Sequence, residues 1–460
     1  MNILRQPKGF YKGVFAIMIP MVMQNLITQT VALADTFMVG MLGEQLLAAT
    51  TVATTPLFIF QIFTFGVQSG VSILVAQYWG KGNLGAINRV LGIGVYFALG
   101  VTLTGAIALS IFPQQILNLV TNEKQLITHA IPYARIAAFS TVFNSVNMVY
   151  ISCQRSMENA KLGVVVLASS SVFNVFMNWV LIFGNLGMPA LGISGAAIAT
   201  LCARILEMII ISCYAMRNSR LPMKIKLLLR PGVTILKDFI KYSLPVLFNE
   251  ALWGFGAMLI PIIFGHMAGA EQILAAYTIS GNLERMFTVS MFACAGATSV
   301  IIGREIGAGR RDTVESVGKS LAVLGLIFGL CSGLLLMTVR LTILKSVIFP
   351  IFSLSEAAAS NAVVMLTIIA CVAPLRALGY TMGIGLLRAG GDVKAMMLID
   401  VGTLYLISIP LMAVTGMVLK LGIVIVYSSI MAEDIVKTTL FFFRVRTRKW
   451  INDVTREQLE

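Results

Sequence analysis

Along this chain the apolar residues fall into blocks of roughly 20 to 30 positions separated by short polar breaks, each long enough as a helix to cross a hydrocarbon core of about 30 Å. The breaks predict spans near 13–39, 47–78, 86–112, 125–152, 162–184 and 190–216. A second set is expected near 237–265, 272–303, 314–348, 356–387, 393–416 and 420–444. A lipid-exposed backbone has to satisfy its own hydrogen bonds, and the period-two alternation of a barrel strand is absent, so helices are the expected element. The pattern predicts an all-α polytopic membrane protein with about twelve transmembrane helices.

Composition points the same way. Of 460 residues, 58% are hydrophobic and 12% charged, with a mean hydropathy of +0.89, whereas a soluble domain carries roughly a quarter charged residues. A net charge of +14 would point to nucleic acid in a soluble protein; here the positions of the cations exclude it. Arg5, Lys8 and Lys12 precede the first span, and the even-numbered junctions hold Lys81 and Arg89, Arg155 and Lys161, Arg304, Arg310 and Arg311, and Arg388 and Lys394. Arg217, Arg220, Lys224, Lys226, Arg230 and Lys237 fill the middle linker, and Arg444, Arg446, Arg448 and Lys449 the C-terminal tail. The odd-numbered junctions hold little beyond Lys124, Lys345 and Lys420. The positive-inside rule then predicts the cytoplasmic (inner) membrane with both termini cytoplasmic, and the cations beside anionic membrane lipids rather than nucleic acid. Cys153, Cys202, Cys213, Cys294, Cys331 and Cys371 lie in or beside apolar blocks without CxxC spacing and read as packing residues, not as a disulfide framework or a metal site. The first block is too long for a signal-peptide core and lacks a small-x-small cleavage pattern, so it is expected to remain as a span.

The two sets of six are related in sequence. Pro20 precedes Gly40 by the same interval as Pro245 precedes Gly265. Gln77–Gly82 (QYWGKG) matches Arg304–Gly309 (REIGAG), Gln154 and Arg155 match Leu387 and Arg388, and Leu191–Ile193 answers Leu421–Ile423. An even number of spans per copy brings both copies into the membrane the same way up, related by a pseudo-two-fold axis along the membrane normal. The expected organisation is an N-terminal six-helix lobe (1–216), a basic cytoplasmic inter-lobe linker (217–236), a C-terminal six-helix lobe (237–444) and a cytoplasmic tail (445–460). Paired lobes of this kind are a transporter architecture, although duplicated bundles also occur in membrane enzymes and scaffolds.

The acidic residues carry the candidate chemistry. A carboxylate at mid-membrane costs roughly 2.5 to 3.5 kcal/mol on insertion scales, so those that persist pair, protonate or face an aqueous cavity. Glu207 stands three residues after Arg204, and Glu433 stands four before Lys437 with Asp434 beside it; these spacings suit intrahelical pairs. Asp35, Glu250 and Asp400 have no base within a turn, and Glu284 has only Arg285, on another face, so these four are the ion-coupling candidates. Gln24, Thr28 and Asp35 share a stripe of the first span, while Asn174 and Asn178 share a face of the fifth and offer neutral partners to a nearby carboxyl. Asn249 and Glu250 follow Pro245, with Trp253 one turn later; with Asn282, Glu284 and Asp400 they complete an oxygen-rich set suited to Na⁺ or a shared proton. Pro20 and Pro245 are the expected bending points, and Gln24, Thr28, Asn249, Trp253 and Asn282 are also candidates for the substrate cavity. The alternatives are a solvated Asp35 at the outer end of its span, and Glu250 and Asp400 hydrogen-bonded at helix bends. The basic residues inside spans, Arg135, Arg204, Arg285 and Arg376, show no convergence in the sequence. The 25 methionines and 26 phenylalanines supply deformable surfaces for amphipathic cations.

Taken together, Pro20, Asp35 and Gly40 of the first span, the endings Ser72–Gly82 (SILVAQYWGKG) and Ser299–Gly309 (SVIIGREIGAG), and Leu387–Asp392 (LRAGGD) resemble the multidrug and toxic compound extrusion (MATE) family, bacterial type, over essentially the whole chain. The resemblance implies a V-shaped pair of lobes acting as a monomer. It implies a secondary antiporter exporting amphipathic or cationic small molecules, drugs and metabolites, in exchange for H⁺ or Na⁺ by rocking-bundle alternating access, with no other cofactor. It further implies that Asp35 is the first-span aspartate that takes the coupling proton, and that Asn174 and Asn178 follow the NorM branch, where archaeal relatives carry an aspartate. A seventh-span glutamate is a cation-site residue in that branch; Glu250 lies about one turn nearer the proline. The competing reading is a lipid-linked saccharide flippase of the same superfamily, which usually has additional spans or a cationic cavity. An enzyme would need a constellation such as HExxH or GxSxG, and an ATP-driven pump a GxxxxGK[ST] loop; the sequence contains neither.

Overall fold

The computed structural model describes residues 6–218, 220–344, 346, 349 and 354–456, with the backbone alone at position 430. Arg5, Lys345 and the end of the expected 314–348 span lie outside the described residues. Among the described residues, regular structure is helical throughout. In chain order the helices are α1 Phe10–Gly40, α2 Glu44–Thr54, α3 Leu57–Lys81, α4 Leu84–Ile111, α5 Pro113–Leu117, α6 Lys124–Ser156, α7 Lys161–Phe183, α8 Gly192–Arg217, α9 Ile225–Leu229, α10 Val233–Gly265, α11 Ala270–Gly307, α12 Arg311–Thr342, α13 Glu356–Arg388, α14 Val393–Val418 and α15 Ile423–Arg446. Eleven are long and apolar enough to cross a membrane. The helix α15, 24 residues long, differs only in carrying Glu433, Asp434 and Lys437 near its centre.

The expected second span is a pair of helices rather than one. Pro56 lacks an N–H and crowds the residue before it, so α2 stops at Thr54 and α3 starts at Leu57. Elsewhere the local signals act as expected. The Asn83 side chain caps α4 by accepting from the Ala86 N–H at 3.0 Å, and Ser355 does the same for α13 through the Ala358 N–H at 3.3 Å. Gly82 (φ 74°) and Gly309 (φ 75°), equivalent in the internal repeat, both turn left-handed just after α3 and α11. The repeat is therefore one of chain reversal as well as of letters.

The chain divides into two compact units, Ile19–Leu247 with Thr455 and Arg456, and Phe248–Val454 with residues up to Met18. The first, called the N unit below, packs α2, α5 and α6 around Ala49, Leu57, Leu117 and Ala134, all buried. Gly195 of α8 lies so close to the Leu181 carbonyl of α7 that a Cβ would collide with it. In the C unit, Gly325, Gly329 and Gly333 recur every fourth residue along α12 and lie against α13. A Cβ on Gly329 would stand 2.6 Å from Pro374 Cα, and one on Gly333 2.5 Å from the Ala370 carbonyl. In lipid, where apolar burial drives little association, such close backbone packing is what holds two helices together.

Candidate ion-coupling sites

In the N unit, α1, α7 and α8 bring Asp35, Asn178, Asn174 and Thr200 into one line. The buried Asn178 donates through Nδ2 to Asp35 Oδ1 at 2.5 Å and to Asn174 Oδ1 at 3.3 Å, and Asn174 Nδ2 donates to Thr200 Oγ1 at 3.5 Å. The Asn178 Oδ1 atom accepts no hydrogen bond. Asp35 opens on a cavity of about 170 Å³ whose wall includes Thr36, Thr50, Thr54, Tyr133 and Thr200 beside Val39, Leu47 and Ala196. One turn from Thr200 on α8, Arg204 is held at 2.6 Å by Glu207, which also accepts from Ser170 at 2.6 Å and Asn147 at 3.1 Å. That pair is the intrahelical one the spacing predicts, and it leaves Asp35 facing a neutral amide.

Two polar residues of the α1 stripe stand apart from Asp35. Gln24 donates to the Ala160 carbonyl at 2.7 Å, and the Thr28 hydroxyl to the Gln24 carbonyl at 2.9 Å. Gln24 precedes Asp35 by three helical turns, about 16 Å along the axis at 1.5 Å per residue. Sharing a helix face does not place them in one site. Pro20 lies within the unbroken α1.

In the C unit the candidates do not stand unpaired. Glu250 of α10 meets Arg388 of α13 at 3.0 Å. Asp400 of α14 accepts from Asn249 Nδ2 at 3.1 Å and pairs with Lys437 of α15 at 3.2 Å. Glu284 of α11 pairs with Arg376 of α13, which also holds Asp434 at 2.7 Å, and Lys437 holds Glu433 at 2.8 Å. Of the in-span bases named from the sequence, Arg376 joins this cluster, where Arg388 and Lys437, not among those named, also meet acids of other helices. Local spacing misses these pairs because a helical turn samples only its own helix, and Arg388 is 138 positions from Glu250. Glu250 thus faces a fixed cation where Na⁺ or a shared proton was expected. Five carboxylates (Glu250, Glu284, Asp400, Glu433 and Asp434) share three cations in this cluster. Trp253 is half-exposed one turn beyond Asn249, and Asn282 is exposed.

A family model described as MatE matches residues 20–180 and 245–414, two segments that each open on the repeat's proline. The chain is 22% identical over 454 residues to the probable multidrug resistance protein NorM of Thermotoga maritima, covering 98% of this chain and 95% of that one. It is 27% identical over 315 residues to the probable multidrug resistance protein YoeA of Bacillus subtilis, covering 67% of each. Among solved structures it matches a MOP superfamily transporter from Pyrococcus furiosus with a TM-score of 0.85 at 19% identity, over 97% of this chain and 96% of that one. It matches a variant of the Vibrio cholerae MATE transporter VcmN with a TM-score of 0.82 at 18% identity, over 96% and 98%. These structures establish the fold, the twelve-helix, two-lobe class that the hydropathy blocks predict. With the family model matching in both halves, this chain belongs to the MatE family of membrane transporters and is not an enzyme.

Proposed function

We propose that this protein is a secondary antiporter that exports amphipathic or cationic small molecules in exchange for H⁺, with Asp35 as the coupling carboxylate. The observation that carries the reading is the company Asp35 keeps: a neutral amide at 2.5 Å and a cavity lined in part by threonines and Tyr133, where the other in-span carboxylates described have a cation. A carboxylate with a fixed cation is already balanced, whereas one facing an amide gains its missing charge from the incoming ion. Asn178 suits both states, because Nδ2 donates to the carboxylate and the vacant Oδ1 accepts the O–H of the protonated acid once the amide turns over. Exchange also requires that the ion favour one arrangement of the transporter over the other. For each net charge moved, 100 mV supplies about 2.3 kcal/mol, a concentration ratio of roughly fiftyfold.

The multidrug-resistance names of the NorM and YoeA relatives support drug efflux. The acid-rich C-unit cluster supports a cationic substrate and disfavours the anionic linkage of a lipid-linked saccharide. Na⁺ at Glu250 or Asp400 would have to displace Arg388 or Lys437, which favours H⁺ at Asp35. The alternate placing of basic loops supports the inner membrane with both termini cytoplasmic, and we take the working unit to be the monomer.

Reconstituted vesicles tested under a pH gradient and, separately, under a Na⁺ gradient discriminate these readings with a fluorescent amphipathic cation as substrate. The expected outcome is uptake driven by the pH gradient that Asp35→Asn reduces by at least about tenfold. Full proton-driven uptake by Asp35→Asn, or uptake driven by Na⁺ alone, would overturn the assignment.

A further inference from the structure

Within the N unit, the stretch from Arg217 to Lys237 is more than a run of cations. Its backbone is held in a fixed shape by one stripe of α4. Asn88, fully buried, donates to the Pro222 carbonyl at 3.2 Å and accepts from the Lys224 N–H at 3.1 Å. Tyr96 donates its hydroxyl to the Leu229 carbonyl at 3.0 Å, and Arg89 donates to the Pro231 carbonyl at 3.4 Å. Between them Gly92 lets the chain approach so closely that a Cβ would run into the Leu228 carbonyl. A topological signal needs charge alone and has no use for a held conformation. Here the side chains at 88, 89 and 96 hold the linker with polar atoms, and the missing Cβ at 92 lets it approach.

What the held linker presents outward is both greasy and basic. Ile225 is 69% exposed, Leu229 56% and Val233 67%, beside the exposed Lys224, Lys226 and Arg230 and the flanking Arg217 and Arg220. The first acid after this stretch is Asp238, whose carboxylate is taken by Arg456 at 2.6 and 2.7 Å. Exposed aliphatic side chains interleaved with lysine and arginine are stable at the boundary between acyl chains and headgroups, where each kind finds its own solvent.

We propose that this linker is a binding surface for the phosphodiester headgroup of an anionic lipid, with Lys224, Lys226 and Arg230 on the phosphate and Ile225 and Leu229 among the acyl chains. The cytoplasmic face of the membrane follows from the orientation proposed above, but the site itself belongs to the chain and can be read without transport. Each cation near an anionic lipid surface is worth roughly fivefold in affinity, so removing three reduces it about a hundredfold.

The test is native mass spectrometry of the solubilised full chain in mixed micelles of phosphatidylglycerol and phosphatidylethanolamine. The protein is expected to retain phosphatidylglycerol preferentially, and Lys224→Gln/Lys226→Gln/Arg230→Gln to lose that preference. A control that removes three other exposed cations, Lys8→Gln/Lys12→Gln/Arg311→Gln, should keep it. Tyr96→Phe, which loosens the linker without changing its charge, should weaken retention severalfold. Equal loss in the control would reduce the surface to ordinary loop charge and overturn the proposal, as would unchanged retention in the linker variant. Displacement of the lipid by millimolar inorganic phosphate would reassign the site to a free anion and also overturn it. None of these readouts depends on Asp35 or on drug transport, so failure here and failure of the antiport reading are separable.

Discussion

Asp35 and Glu250 are both carboxylates within apolar helices, and their neighbours give them opposite prospects. Asp35 rests against an amide that can serve either protonation state. Glu250 is tied to a guanidinium, and that tie makes a stability prediction. Arg388→Ala leaves Glu250 with an uncompensated charge; a fully buried broken pair costs roughly 3–5 kcal/mol, and the 25% exposure of the Glu250 side chain lowers this to on the order of 2 kcal/mol. Adding Glu250→Gln should restore most of the loss. Thermal unfolding of the single and double variants in detergent checks this, and a double variant no more stable than Arg388→Ala would show that the pair is not the cause. At this scale the sequence was half legible. Pairs within one helix, Arg204 with Glu207 and Glu433 with Lys437, follow from spacing and form at 2.6 and 2.8 Å. Pairs between helices do not follow, since nothing along α10 marks a partner far down the chain.

At the scale of the element, hydropathy placed the spans well because crossing a bilayer demands length before anything else. It could not see that α2 and α3 part at Pro56, since an apolar block reads the same whether or not its hydrogen-bond ladder is broken. Nor could it see the π turns at Thr381–Arg388, Leu404–Ser408 and Val414–Val418. The first of these carries Arg388 at its end, and the wider turn sets the direction in which that side chain leaves α13. In α14, Pro410 has no N–H to offer the residue four before it, and the ladder widens around that gap. The four-residue recurrence of glycines in α12 escaped the sequence reading, and nothing along α12 marks the helix they serve. Gly329→Leu is expected to force α12 and α13 apart and cost about 1–3 kcal/mol or more. Gly100→Leu, at a position with nothing within 4 Å of a Cβ, should be silent. Unfolding midpoints compare the two, and an equally mild Gly329→Leu would remove the close-packing argument.

At the scale of the whole molecule, the duplication was the strongest signal and the structure repeats it in kind: the same motif ends α3 and α11 with the same left-handed glycine. The two family segments start at the two prolines of that repeat. What stayed hidden was the inventory of charge inside the C unit, because neutralisation is a property of the folded assembly and not of any span. That inventory bears on how the protein is made. Glu433, Asp434 and Lys437 near the centre of α15 would cost on the order of 8–10 kcal/mol if the helix entered lipid by itself, more than its aliphatic residues return at about 0.3–0.6 kcal/mol each. Their balancing groups, Arg376 and Asp400, sit on α13 and α14. Ile423–Arg446 placed between two reporter domains should therefore fail to integrate into microsomal membranes, and should integrate when α13 and α14 precede it; efficient integration alone would refute this. By this arithmetic α15 needs α13 and α14 beside it to enter lipid, so these helices are expected to enter the bilayer as an ion-paired group and not one at a time.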